Sequence, residues 1–104
     1  MSSLTGLSKR QVQVLWAVDQ LQRSGVRASG PRLQYAFQNS ALVGAEEQPS
    51  KQGLHQTAAS LVHRSVLERI QKERPGHSPE ICYLATEHGR ALLAREVDVH
   101  GRPL

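Results

Sequence analysis

Gln52, Gln56, Ala59, Ser60 and His63 fall on one face of a short segment with helical periodicity. Two carboxamides one turn apart each set a donor beside an acceptor, the pattern that pairs with the N6 and N7 edge of adenine. The methyl of Ala59 suits contact with a thymine methyl. Lys51, His55 and Arg64 stand at the edges of this face, where side chains that hold phosphate belong. The plainer reading of the same face is solvated surface.

A second group surrounds a stiff turn. Lys72 and Arg74 flank the run Pro75-Gly76-His77-Ser78-Pro79. An arginine at such a tip can enter a narrow minor groove or meet a phosphate. Arg27 and Arg32 lie near the start of another helical segment, and a helix N-terminus favours phosphate. Lys9 and Arg10 open the first helical segment, where solubility is the simpler role.

Other chemistries find little support. Zinc needs three or four ligands at workable spacing. Of the histidines, His55, His63, His77, His88 and His100, the first two are eight residues apart and cannot chelate as an i, i+4 pair. No metal or cofactor is expected. The single cysteine, Cys82, excludes an internal disulfide framework and fits a reducing compartment. Its place beside Ile81 and Tyr83 reads as a small buried hydrophobe, and a redox-sensing thiol would need an exposed electropositive setting. There is no glycine-rich phosphate loop, nucleophile elbow or close His-Cys or carboxylate pattern, so the chain does not read as an enzyme.

These groups need elements to position them. The 104 residues, 38% hydrophobic and 21% charged, suit one domain, with 1–7 and 99–104 as flexible ends. There is no apolar run long enough for a membrane span and no signal-peptide core, so a cytoplasmic location is expected. The net charge is +4, and it is uneven. Residues 8–33 hold five cations against one acid, and residues 50–74 hold five against two. Residues 44–49 and 80–98 are each net acidic. Arg outnumbers Lys by ten to three, which is compatible with a high-GC bacterial, plasmid or phage genome.

Ser8 caps a first helix to Ser24, with Gln11 completing a capping box and Gly25 ending it. Its apolar residues fall on two faces, Val12, Leu15 and Trp16 on one and Val14, Val18 and Leu21 on the other. A second apolar face must be covered by the last helix or by a partner subunit. A short strand is expected at 26–28. Ser29 then caps a second helix from Pro31 to about Ala41, with Leu33, Ala36, Phe37 and Leu42 inward. A turn with Gly44, Glu46, Glu47 and Pro49 follows. Ser50 caps the third helix to Arg64, its core stripe being Leu54, Ala58 and Leu61. A strand from Val66, the proline-glycine turn and the run Ile81–Leu84 make a hairpin. One helix from Ser50 to about Glu73 is the competing reading. Thr86 caps the last helix, whose apolar residues are Leu92, Leu93 and Val97. Trp16, Tyr35, Phe37 and Tyr83 fall mostly at expected core positions.

The passage Tyr83-Leu84-Ala85-Thr86-Glu87-His88-Gly89-Arg90-Ala91-Leu92-Leu93 resembles the wing and last helix of bacterial winged-helix regulators of the MarR and PadR groups. The resemblance is close over these residues and looser from Ser50 to Glu96. It departs in the longer acidic turn at Glu46 and Glu47, and in length, which leaves no room for a separate effector domain.

The resemblance implies a mainly α fold with a small β-hairpin, a winged helix-turn-helix of order α-(β)-α-α-β-β-α. It implies double-stranded DNA as partner and a homodimer. Helix 50–64 would sit in the major groove and the 71–79 wing on the flanking groove or backbone. Val14, Val18, Leu21, Leu92, Leu93 and Val97 are the expected dimer contacts. The role would be transcriptional repression, or a plasmid- or phage-type function, with nucleoid association; a small-molecule effector stays open. The alternatives are a winged helix used for protein–protein contact, a single-stranded nucleic acid or RNA binder, which wants exposed aromatics, and a metal- or redox-responsive regulator.

Overall fold

Local signals set most of the element boundaries. In the computed structural model, which describes residues 6–38 and 49–97, helix α1 runs Lys9–Arg23, strand β1 Ala28–Ser29 and helix α2 Gly30–Gln38. Helix α3 spans Lys51–His63, strands β2 and β3 span Leu67–Lys72 and Glu80–Ala85, and helix α4 spans Glu87–Glu96. The Ser8 hydroxyl accepts from Gln11 N, and the Gln11 side chain accepts from Ser8 N, so the reciprocal box forms. Ser50 and Thr86 cap α3 and α4 through bonds to Gly53 N and Gly89 N. The expected order of elements is the observed one.

Helices α1 and α3 end in the same way. After α1, Gly25 N bonds to Gln22 O and Val26 N to Leu21 O, with Gly25 at φ 74°. After α3, Ser65 N bonds to Val62 O and Val66 N to Leu61 O, with Ser65 at φ 62°. Both are Schellman closures, in which a left-handed residue turns the chain so that the last carbonyls find donors. The second one stops α3 and overturns the long-helix alternative. The strand after it then pairs antiparallel with β3 from Leu67↔Ala85 to Lys72↔Glu80. Strand order is β1-β3-β2.

The first strand is displaced from the expected 26–28. Ala28 and Ser29 pair with Tyr83 and Cys82, so Ser29 belongs to the sheet and α2 begins at Gly30. The expected end of α2 at Ala41, Leu42, the turn with Glu46 and Glu47, and the tail from His100 lie outside the described residues.

One core joins the helices to one face of the sheet. Leu7, Val14, Leu15, Val18, Leu33, Phe37, Leu54, Ala58, Leu61, Val66, Leu67 and Tyr83 are buried in it. Helix α1 runs through its centre, touching α2, α3, α4, β1 and β3. That position explains its two apolar faces without a partner. Val14 and Val18 are wholly buried by their own chain, and Leu93 and Val97 are nearly so. The expectation that these four make dimer contacts is therefore corrected: intrachain packing already covers them. Tyr35, not among the residues expected inward on α2, is 64% exposed.

Candidate nucleic-acid interface

The outer face of α3 is narrow and uncharged. Gln52, Gln56, Ala59 and His63 are exposed and recur at spacings of four, three and four, which makes one stripe opposite Leu54, Ala58 and Leu61. No Asp or Glu occurs anywhere in this helix. Lys51 is exposed at its first turn.

Three residues expected on this face or its edges have internal partners, while Arg64 remains exposed. Ser60 Oγ donates to Thr57 O at 2.7 Å and accepts from Gln11 Nε2 at 3.1 Å, so it faces α1 rather than a base. Arg64 Nη1 donates to Gly6 O at 3.0 Å and reaches Gln11 Oε1 at 3.5 Å, tying the end of α3 to the segment before α1. His55 Nδ1 lies 3.0 Å from Tyr83 Oη, across the interface between α3 and the sheet. Each side chain has the right chemistry for the role expected of it, and each meets an internal partner brought close by tertiary packing. Gln11, which sequence reasoning treated only as a cap residue, is the hub of the α1–α3 contact.

The hairpin carries the second group. Between β2 and β3, Arg74 Nε and Nη2 both donate to Ser78 O, at 3.1 and 2.9 Å, which closes the turn on itself. Glu80, the first residue of β3, sits at its base. Its Oε1 lies 3.8 Å from Arg27 Nη1, and its Oε2 lies 4.0 Å from Arg74 Nη1. Cys82 Sγ donates to the same Oε1 at 3.1 Å. Lys72 is the cross-strand partner of Glu80. The thiol bond is the main reason the Glu80 carboxyl lies below its ordinary range; burial opposes it, and the nearby Arg27, Arg74 and Lys72 each add a smaller lowering. Glu80 was not singled out from sequence; its signal was the Lys72–Glu80 pairing that a hairpin around Pro75–Pro79 entails.

Cys82 is buried and its thiol is pushed up to about 11, first by burial and then by the bond to Glu80. That is the reverse of a reactive-thiol setting. Burial likewise raises Tyr83. Arg32 is exposed in the first turn of α2. Among the described residues, no three His, Cys, Asp or Glu side chains group as metal ligands, and no helix is long and apolar enough to cross a membrane.

The frame that positions these groups is shared with a solved protein. The chain superposes on the crystal structure of a MarR family transcription regulator with a TM-score of 0.58, at 21% identity, over 88% of this chain and 50% of that one. The fold is a winged helix-turn-helix. In it, α2 and α3 are the helix pair and the β2–β3 hairpin is the wing. The chain spans half the length of that regulator. No protein-family model and no curated protein matches the sequence.

Proposed function

We infer that this winged helix binds double-stranded DNA and regulates transcription, with α3 in the major groove and the wing on the adjacent backbone. The observation that carries the reading is the exposed, acid-free stripe of Gln52, Gln56, Ala59 and His63, beside a hairpin that presents Lys72 and Arg74. Amide and methyl groups in such a stripe read base edges, while cations around it hold phosphate and set register. Lys51 and Arg32 are exposed at the first turns of α3 and α2, where a cation suits a backbone phosphate. The structure of a transcription regulator with the same fold supports the regulatory role, and repression by covering a promoter is its simplest form. No catalysis is assigned, and the setting is the cytoplasm, with the protein on the nucleoid.

The protein acts as a homodimer in this reading, with two copies of α3 meeting half-sites about one helical turn apart. Of the expected contacts, Leu21 and Leu92 keep exposed surface for it. Duplex binding across a salt series tests the DNA reading. Light scattering at micromolar concentration tests the dimer, and a monomeric mass would sink it while leaving the DNA reading intact.

A further inference from the structure

The cations at the base of the wing form one cluster around a carboxylate. Arg27 from the segment before β1 and Arg74 from the turn both meet Glu80, and Lys72 at the end of β2 stands opposite it across the strand pair. The alternation of side chains along paired strands puts Lys72 and Glu80 on one side of the sheet. Both arginine contacts are long, and Arg27 and Arg74 remain 60% and 48% exposed. Pairs of this kind contribute little to stability and break readily. Glu80 is less exposed, at 27%, and its carboxylate is held from beneath by the Cys82 thiol. The acid is thus held by the thiol, while Arg27 and Arg74 meet it only through long contacts; Arg74 stays anchored to Ser78 O and offers Nη1.

We propose that Glu80 is a positioning residue that stands in for a DNA phosphate, gathering Arg27, Lys72 and Arg74 in the unbound protein and yielding them to the phosphodiester backbone on binding. The proposal rests on the DNA reading above and adds a site to it: a phosphodiester-binding cluster at the wing base, with a built-in competitor. A phosphate meets guanidinium groups with several acceptor oxygens and strong charge-assisted bonds, so it displaces a carboxylate held at these distances. The competitor lowers affinity for every duplex alike, because phosphate contacts carry no sequence information. It thereby raises the share of binding that depends on the α3 stripe.

The test is duplex binding by the full chain over a salt series, for the unaltered protein, Glu80→Gln, Arg27→Ala plus Arg74→Ala, and the triple variant. Glu80→Gln should tighten binding several-fold for any sequence and leave the salt slope nearly unchanged, because the same cations meet phosphate in both proteins. In the Arg27→Ala, Arg74→Ala background the gain should shrink to the share that Lys72 alone can carry. An equal gain in that background, or a loss of affinity in Glu80→Gln with its fold intact by circular dichroism, would overturn the handover and leave the DNA reading standing. Absence of duplex binding by the unaltered protein would sink both.

Discussion

His55 Nδ1 and Tyr83 Oη, 3.0 Å apart, join the candidate reading helix to the central strand of the sheet. Their rings are tilted by 51° at a centroid distance of 6.1 Å. A third residue belongs to the contact. A β-carbon on Gly30 would stand 2.6 Å from His55 Nε2, so the start of α2 closes on the other edge of the imidazole. One side chain therefore bridges α3, the sheet and the start of α2. Tyr83→Phe should cost about 1 kcal/mol in urea denaturation, the usual worth of such a bond. Gly30→Ala should cost about 1–3 kcal/mol by crowding. Much of that penalty should disappear in a His55→Ala background, because the crowded atom is then gone.

Gly89 explains why the threonine-glutamate-x-glycine run of the last helix reads as it does. Thr86 Oγ1 donates to Ser65 O at 2.7 Å and accepts from Gly89 N at 2.9 Å. The Val66 carbonyl then packs directly on the helix at Gly89, where a β-carbon would collide with that backbone oxygen. Backbone cannot swing aside as a side chain can. Gly89→Ala should lower stability by about 3 kcal/mol, the upper end of typical overpacking penalties, despite the better helix propensity of alanine. A thermal midpoint equal to that of the unaltered protein would contradict this close approach.

Ser65 occupies a left-handed position that Gly25 fills in the equivalent closure after α1. A side chain there is strained by about 1–2 kcal/mol, part of which is offset because glycine has more freedom to lose on folding. Ser65→Gly should therefore raise stability by about 0.5–1 kcal/mol. Circular dichroism melts and urea midpoints would show the gain.

The same contrast shows which parts of this fold were legible in the sequence. The end of α1 was plain because Gly25 marks it. The end of α3 stayed open between strand and long helix because serine fills the turning position. The starts at Ser8, Ser50 and Thr86 were legible because a cap acts on residues two or three positions away. Burial of Val14 and Val18 was not, because what covers them comes from elements far along the chain. His55, Ser60 and Arg64 were assigned to DNA by type and spacing, and Tyr83, Gln11 and Gly6 claim them in the folded chain. Asp19 shows the same limit. It is buried on α1, with Arg23 Nε at 2.8 Å and Arg90 Nε at 3.5 Å; Arg23 lies one turn along the same helix, whereas Arg90 is brought in from α4 by the fold.

Cys82 should make stability fall in alkaline solution. Its pKa is raised from 9.0 to about 11 in the folded chain, so the folded state keeps a thiol proton that the unfolded state gives up. The contribution is whole below about pH 9 and is lost as pH rises towards about 11. Urea midpoints should drop across that window, and Cys82→Ala should flatten the drop. At neutral pH the folded protein should react slowly with iodoacetamide and quickly once unfolded.

Duplex binding measured against salt separates base reading by α3 from phosphate holding by the wing. The unaltered protein should bind random duplex DNA at low salt, with log affinity falling linearly in log salt. Lys72→Ala should weaken binding to all sequences and reduce the slope by about one unit. Gln56→Ala should leave the slope alone and remove about 1–3 kcal/mol of discrimination at one base pair of a selected site. No binding to duplex DNA at low salt, by protein shown to be folded, would contradict the account.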